Sequence, residues 1–560
     1  MQSTLEEILA RHDWISTFTH PPDVLALLRT NDAPSPPQSA RLKASFEGLQ
    51  TALAELQSDL DLLHNVAASL QTQMSCLLSL KHDCETALSP IRCVPSEIAM
   101  EILCRSWKDA EFSDISLGRR PVGFNVFRIR EGPWHLGQVC SSWRNVIETL
   151  CPELWATMIV NLRISFPYER LFGNLVEVLR IVLERSHNHP LSFSFRFHGT
   201  EVEESNIPEI EQCFDTMITH SKRWKAVDLT IPPDLVPRLS RIRGKIDWLT
   251  EMYLCCPYDL QHGDIHAFEI APALEQLHLK GVHRAANIHF PTSNLVSFSD
   301  ARSFAGDRLT PEYLHIIKSS PKLRSFSYND YGVQSLDILL LVCPPVMSPS
   351  VEELSASSPN FMRSLVLPSL KDVTLSTNAH EKDMEEEVMS CPVGALGALH
   401  EMLLQSRCSL SRLCLVDVVL DDHLTNIIRL IPGLQEFMIN FNEWVDDYDP
   451  ILQSLVTQLS EVSLVDGTLQ HSLVPSLQSI QVYLFNVRYS HVSFINFAFV
   501  DMVASRLRRP SDAPRLTEFY LHMSGLGGSS DLDEEAENVL ASLKDEGLRL
   551  NYYIHMMKGR

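Results

Sequence analysis

PALEQLHLK at residues 272–280, PKLRSFSYN at 321–329, PSLKDVTL at 368–375, PGLQEFMIN at 432–440, PSLQSIQVY at 475–483 and PRLTEFYLH at 514–522 share one pattern. A proline and one residue precede apolar positions spaced by three and then two. Pro349-Ser-Val351 opens a further copy, and weaker ones start at Trp224, Leu249, Leu295, Leu410 and Leu459. Successive first apolar residues lie 25, 25, 21, 28, 28, 19, 40, 24, 25, 18 and 39 positions apart. Alternating apolar residues after a proline read as a short strand entered through a turn. One such unit cannot cover its own apolar face, so neighbouring copies must stack.

Most of these intervals match the period of a leucine-rich repeat, with two stretched by insertions. The expected architecture for residues 161–560 is therefore α/β: an irregular leucine-rich-repeat solenoid, a parallel sheet with outer helices. Helices are expected between strands at Leu175–Glu184, from Thr310-Pro311 through Ile317, and at Ala395–Gln405, Leu424–Leu430 and Ile451–Leu455. LSFSF at 191–195 reads as a strand. An unrelated βα domain would share the helices, but not so many proline-initiated LxxLxL segments. The asparagine usual in such ladders is mostly missing. In this geometry the residues between the leucines line the open sheet face. His278, Tyr483 and Tyr520 are candidate target-binding residues there, because aromatic side chains dominate binding hot spots.

Upstream, residues 1–39 form a leader and linker, with a capping box Ser3/Glu6 opening a small helix near 4–11 and a break at His20-Pro21-Pro22. Leucine then recurs every seventh position at Leu42, Leu49, Leu56, Leu63, Leu70 and Leu77. Phe46, Leu53, Leu60, Ala67 and Met74 complete the stripe, which predicts a long coiled-coil-like helix over 40–87. Few opposite charges flank it, so both dimerisation and packing within the chain stay open.

Residues 88–103 read LSPIRCVPSEIAMEIL and residues 132–155 read GPWHLGQVCSSWRNVIETLCPELW. Ile98, Ile102 and Leu103 fall on one helical face, and Leu136, Val139, Cys140, Trp143 and Ile147 repeat with helical steps. The pair of segments resembles the two arms of an F-box. With the preceding heptad helix and the closing Pro152, Leu154 and Trp155, it is similar to F-box-like proteins of mushroom-forming fungi. The resemblance implies an all-α F-box-like segment over 88–160. It implies that Val94, Pro95, Glu97, Ile98, Ile102, Leu103, Leu136, Val139, Cys140, Trp143 and Arg144 bind a Skp-type adaptor, and through it a cullin-RING ubiquitin ligase. The chain would then be a substrate-recognition adaptor in the ubiquitin conjugation pathway, binding an unknown protein target. Two departures stand out: Val94 replaces the usual leucine, and an insertion at 104–131 separates the arms. The alternative is a non-catalytic protein-interaction scaffold with a decayed F-box.

The formal charge of −23 argues against nucleic acid or an anionic membrane as partner. No apolar run approaches the length of a membrane span, LDILLLV at 336–342 being the densest. The polar, acidic N-terminus is unlike a targeting peptide. The 13 irregularly spaced cysteines read as reduced, mostly buried thiols, which together point to the cytoplasm or nucleus. No enzyme is expected, and no cofactor or metal. His262 and His266 are a lone pair without a third ligand, and acidic residues follow Gly525-Leu-Gly527-Gly528 too closely for a phosphate loop. Glu381 to Glu387 reads as a solvated charge run, and Cys255-Cys256 as core.

Overall fold

The structure is a computed structural model that describes residues 2–29, 33–90, 94–111, 123–128, 130–162, 175–197, 207–256, 264–280, 287–301, 310–328, 344–377, 390–465, 468–508 and 514–557. His262, Asn329, the LDILLLV stretch, the Glu381–Glu387 run and residues 112–122 and 129 of the insertion lie outside the described residues. The chain divides into two compact units, residues 1–98 and 99–560.

In the first unit the heptad stripe forms one helix, Pro36–Ala87. Ser35 stands before its first turn, and its backbone N–H and hydroxyl both donate to Gln38 Oε1, at 3.0 and 2.7 Å. A short helix, Gln2–His12, is tied to it where Arg11 and His12 meet Asp59 at 3.0 and 2.9 Å. Ser3 lies inside this helix rather than capping it, since helical geometry already starts at Gln2. No residue of the long helix is buried; Leu53 and Leu77 are 71% and 67% exposed.

Among the described residues, the second unit is built on one sheet of 15 strands whose spatial order is their order in the chain. Its strands are Phe124–Asn125, Thr157–Asn161, Leu191–Arg196, Trp224–Thr230, Glu251–Cys255, Gln276–Lys280, Ser297–Ala301, Ser325–Tyr328, Glu353–Ala356, Asp372–Leu375, Arg412–Val416, Glu436–Phe441, Ser479–Arg488, Glu518–Leu526 and Arg549–Met557. Every pairing between neighbours is parallel. Helices follow many strands and pack beside one another. They include Leu175–Arg185, Thr310–Ser319, Ala395–Ser406, His423–Leu430, Asp449–Ser460, Phe497–Leu507 and Glu534–Asp545. This is an α/β architecture with a large parallel sheet and outer helices, compatible with a solenoid. Among the described residues, no helix is long and apolar enough to cross a membrane.

The proline motif is explained by its hydrogen bonds. The carbonyl just before the proline accepts from the leucine N–H three residues on, as in Leu274 to Ala271, Leu323 to Ser320, Leu370 to Leu367, Leu434 to Ile431 and Leu477 to Val474. Each is a β-turn with proline at its second position, where the fixed φ costs nothing. The next amides then reach the preceding strand: Gln276 N to Thr250 O, Asp372 N to Glu352 O, Glu436 N to Ser411 O and Glu518 N to Gln478 O. Within each strand the leucine positions are buried, Leu277 and Leu279 at 0% and 1%, while Gln276, His278 and Lys280 are half-buried.

The segment expected to be all-α is not. Phe124–Asn125 pairs in parallel with Thr157–Asn161, so the insertion at 104–131 supplies the first strand and the sheet begins well before residue 161. Nor are Leu136 to Ile147 one helix. Helices Gly132–Leu136 and Ser141–Thr149 are separated by a break at which Cys140 is extended (φ −160°, ψ 169°).

Near the other end, the glycines Gly525, Gly527 and Gly528 pack closely against residues 487–489. Gly525 is part of a strand beside Val487, and a Cβ there would stand 2.0 Å from the Val487 carbonyl oxygen. The helix that follows, Glu534–Asp545, is capped by Asp533, whose Oδ1 accepts from Ala536 N at 2.8 Å. Asp533→Ala is expected to cost about 0.5–2 kcal/mol. Urea denaturation would read it as a lowered midpoint; an unchanged midpoint would show that the cap contributes nothing.

Candidate interaction surfaces

Two surfaces carry the residues singled out in the sequence. The first begins at Pro95, exposed, just before the helix Ser96–Glu111 with Glu97 in its first turn. Ala99, Leu103 and Cys104 are buried, whereas Ile98 and Ile102 are 54% and 51% exposed. Ile98 and Ile102 are one turn apart and share a face, and Leu103 lies on another. Leu103 therefore contributes to packing rather than to any outer contact. Burial, reinforced by a hydrogen bond with Glu153, holds the Cys104 thiol well above its ordinary range, so it is a packing group and not a nucleophile.

In the second arm Gly132 has φ +57°, and a Cβ there would meet that of Phe124 at 2.3 Å, so only glycine allows the first strand to lie so close. Trp134 donates from Nε1 to the Val126 carbonyl at 3.1 Å, and Trp155 to that of Ile147 at 3.0 Å. The two rings meet edge-on at 4.9 Å, Phe124 packs on Trp155 at 5.8 Å, and the Arg185 guanidinium lies 4.8 and 5.1 Å from the Trp155 and Trp134 rings. The arm thus closes the first end of the sheet. Cys140 Sγ accepts from Trp143 N at 3.4 Å, and Arg144 Nε donates to Gly137 O at 3.0 Å. These bonds shape the break between the helices and leave Val139 57% exposed. Arg144 is also exposed, while Val94, Leu136, Cys140 and Trp143 are half-buried.

The second surface is the half-buried side of the strands. His278 lies in register between Tyr253 and Ser299, its ring 6.5 Å from that of Tyr253. Two strands before His278, Asp228 is 2% exposed and accepts from Ser194 Oγ at 2.9 Å, with Arg196 at 3.4 Å. Tyr483 and Tyr520 sit on the thirteenth and fourteenth strands, seven and eight ladder steps from His278. At about 4.8 Å per step that is roughly 34 and 38 Å along the sheet, so the three do not form one small epitope. Tyr483 is in register with His522 and Tyr553, and Tyr520 with Gln481 and Asn551. Rings run on from Tyr483 to Phe485 (6.4 Å), His522 (4.9 Å), Tyr553 (5.0 Å) and His555 (5.9 Å). Burial, then the neighbouring Tyr520, raises the Tyr483 phenol above its ordinary range, and burial lowers the His522 imidazole, so burial favours the neutral form of each. Phe485, Tyr553 and His555 were missed by the proline motif, because Phe485 lies past its end and RLNYYIHMM has none. The alternation of that last stretch is the signal that could have found them.

Among the described residues one group has metal-ligand spacing: Asp264, His266 and His289. Cys255 and Cys256 are buried core, as expected.

No protein-family model matches this chain, and no curated protein does. Among solved structures, a crystal structure of a protein from Bacteroides fragilis is similar at 10% identity, over 63% of this chain and 72% of that one, with a TM-score of 0.24. A likeness that distant carries no argument about function.

Proposed function

We propose that the chain is a substrate-recognition adaptor of a Skp/cullin/F-box ubiquitin ligase, acting in the cytoplasm or nucleus. The F-box-like helices hold the Skp-type adaptor, and the open face of a leucine-rich-repeat sheet holds a protein target. The observation that carries the reading is the pair Ile98 and Ile102, two large aliphatic side chains more than half exposed, one turn apart, on a helix entered through the Val94-Pro95 motif. Exposed Val139 in the second arm and the aromatic row from Tyr483 to His555 support it as well. The chain itself does no chemistry in this scheme. It raises the effective concentration of a target near a conjugating enzyme held by the same assembly.

The test is co-expression with a fungal Skp adaptor, comparing the wild type with Pro95→Ala/Ile102→Asp. A charge at the centre of an apolar contact is expected to weaken association at least about thirty-fold, or 2 kcal/mol. Ile102 is exposed, so the variant keeps its fold, as circular dichroism would confirm. A wild type that fails to bind rejects the proposal in favour of a scaffold with a decayed F-box. That second reading is favoured by the way Trp134 and Trp155 commit the second arm to closing the sheet.

A further inference from the structure

We propose that Asp264, His266 and His289 bind one divalent transition-metal ion of the zinc class. The site joins two successive connections on the way between sheet strands and is independent of the proposed adaptor role. Ile265 and Ile288 form a parallel backbone bridge outside the main sheet, with Ile265 N to Asn287 O at 2.7 Å and His289 N to Ile265 O at 3.0 Å. Ile265 is 5% exposed and points inward, so the extended-chain alternation turns Asp264 and His266 outward. His289 and Asn287 flank Ile288 in the same manner. Residues separated by 23 positions in the chain are thereby placed side by side.

The three side chains lie within reach of one ion, and Asp264 and His266 are each supported from behind. The imidazoles of His266 and His289 are stacked at 4.3 Å with 2° between their planes. Each places Nε2 3.9 Å from the same oxygen, Asp264 Oδ2. The other carboxylate oxygen, Oδ1, accepts from Asn287 Nδ2 at 2.9 Å, which orients the group. His266 Nδ1 lies 3.3 Å from Glu269 Oε2, itself fixed by Arg243 at 2.6 Å. A ligand histidine backed by a carboxylate, and a ligand carboxylate backed by an amide, are the outer supports that metal sites use.

Hydrogen bonds do not join the three groups to one another. At 3.9 Å neither histidine makes a hydrogen bond to Asp264. An ion at their common end satisfies all three groups. The ligand atoms lie within 4.8 Å of one another, so a central point is within about 2.8 Å of each, against roughly 2.0–2.1 Å for zinc–imidazole bonds. Rotation of these exposed side chains closes that gap and tilts the two parallel rings so that their Nε2 lone pairs converge. Two imidazole nitrogens and one carboxylate select zinc, cobalt, nickel or copper over magnesium and calcium, which prefer all-oxygen shells. Three protein ligands leave a fourth position to water.

The test uses the full chain after chelator treatment, titrated with Zn2+ by calorimetry and with Co2+ by visible absorption. The wild type is expected to bind one equivalent more than His266→Ala/His289→Ala. Its Co2+ spectrum should lack the thiolate charge-transfer band that exposed Cys76 and Cys84 would give. Asp264→Asn should weaken binding at least about ten-fold, and Asn287→Ala should weaken it measurably. His423→Ala, at an exposed histidine paired with Asp421, should leave the equivalent in place. Equal uptake by the wild type and the double variant, or no metal-dependent spectrum in the wild type, overturns the proposal.

Discussion

Arg506→Met is expected to lower the stability of the sheet's later strands by about 3–5 kcal/mol. Arg506 sits near the end of the helix Phe497–Leu507 and is only 3% exposed. Its guanidinium donates to three backbone carbonyls: Val474 at 3.0 Å, Leu459 at 2.8 Å and Leu473 at 2.9 Å. Val474 has φ +40°, a strained conformation for a β-branched residue, and the turn at Pro475 starts from its carbonyl. Methionine fills the volume and leaves those carbonyls buried without their donors. Arg506→Lys should recover only part of the loss, since one ammonium cannot reach as the planar fork does. Urea denaturation measures both, and a loss below about 1 kcal/mol for the methionine variant would show that water replaces the guanidinium.

Trp155→Ala should cost about 3–5 kcal/mol, and the damage should stay local. Trp155 is 1% exposed between Phe124 and Trp134, under Arg185. Trp155→Phe keeps much of the packing but strands the Ile147 carbonyl, and about 1–2 kcal/mol is expected. Hydrogen exchange resolved along the chain gives the decisive comparison. Residues 124–162 should lose protection while residues 518–557 keep theirs. Uniform loss along the sheet would contradict the neighbour-only coupling that sequential strand order implies.

Much of the sheet was legible because its punctuation is chemical. Pro272, Pro321, Pro368, Pro432 and Pro475 each preset the turn that starts the next strand, and the apolar spacing fixes which residues face inward. The helices expected from Thr310, Ala395, Leu424 and Ile451 were found within a few residues, as Thr310–Ser319, Ala395–Ser406, His423–Leu430 and Asp449–Ser460. The first strand was not legible: Phe124–Asn125 is two residues long, carries no period, and forms only because Trp155 and Gly132 hold Phe124. The break at Cys140 was equally hidden, since the steps from Leu136 to Ile147 suit one helix and the bonds to Gly137 and Trp143 that interrupt it are local. The partner of His266 was out of reach for another reason. His289 comes from the next connection, and only the Ile265–Ile288 bridge brings it near.

Strand order that copies chain order has a consequence for how the protein is made. A ribosome releases this chain from the Phe124 end, and each new segment finds the edge it must join already exposed and waiting. Among the described residues, no strand of the 15-stranded sheet has to be held in reserve for a partner beyond the next one, as happens in sheets whose strands are shuffled relative to the chain. The sheet can therefore be laid down during translation, one course upon the last, with loop closures of a few tens of residues at a time. A stall or truncation then leaves a shorter sheet with one open edge, instead of a tangle.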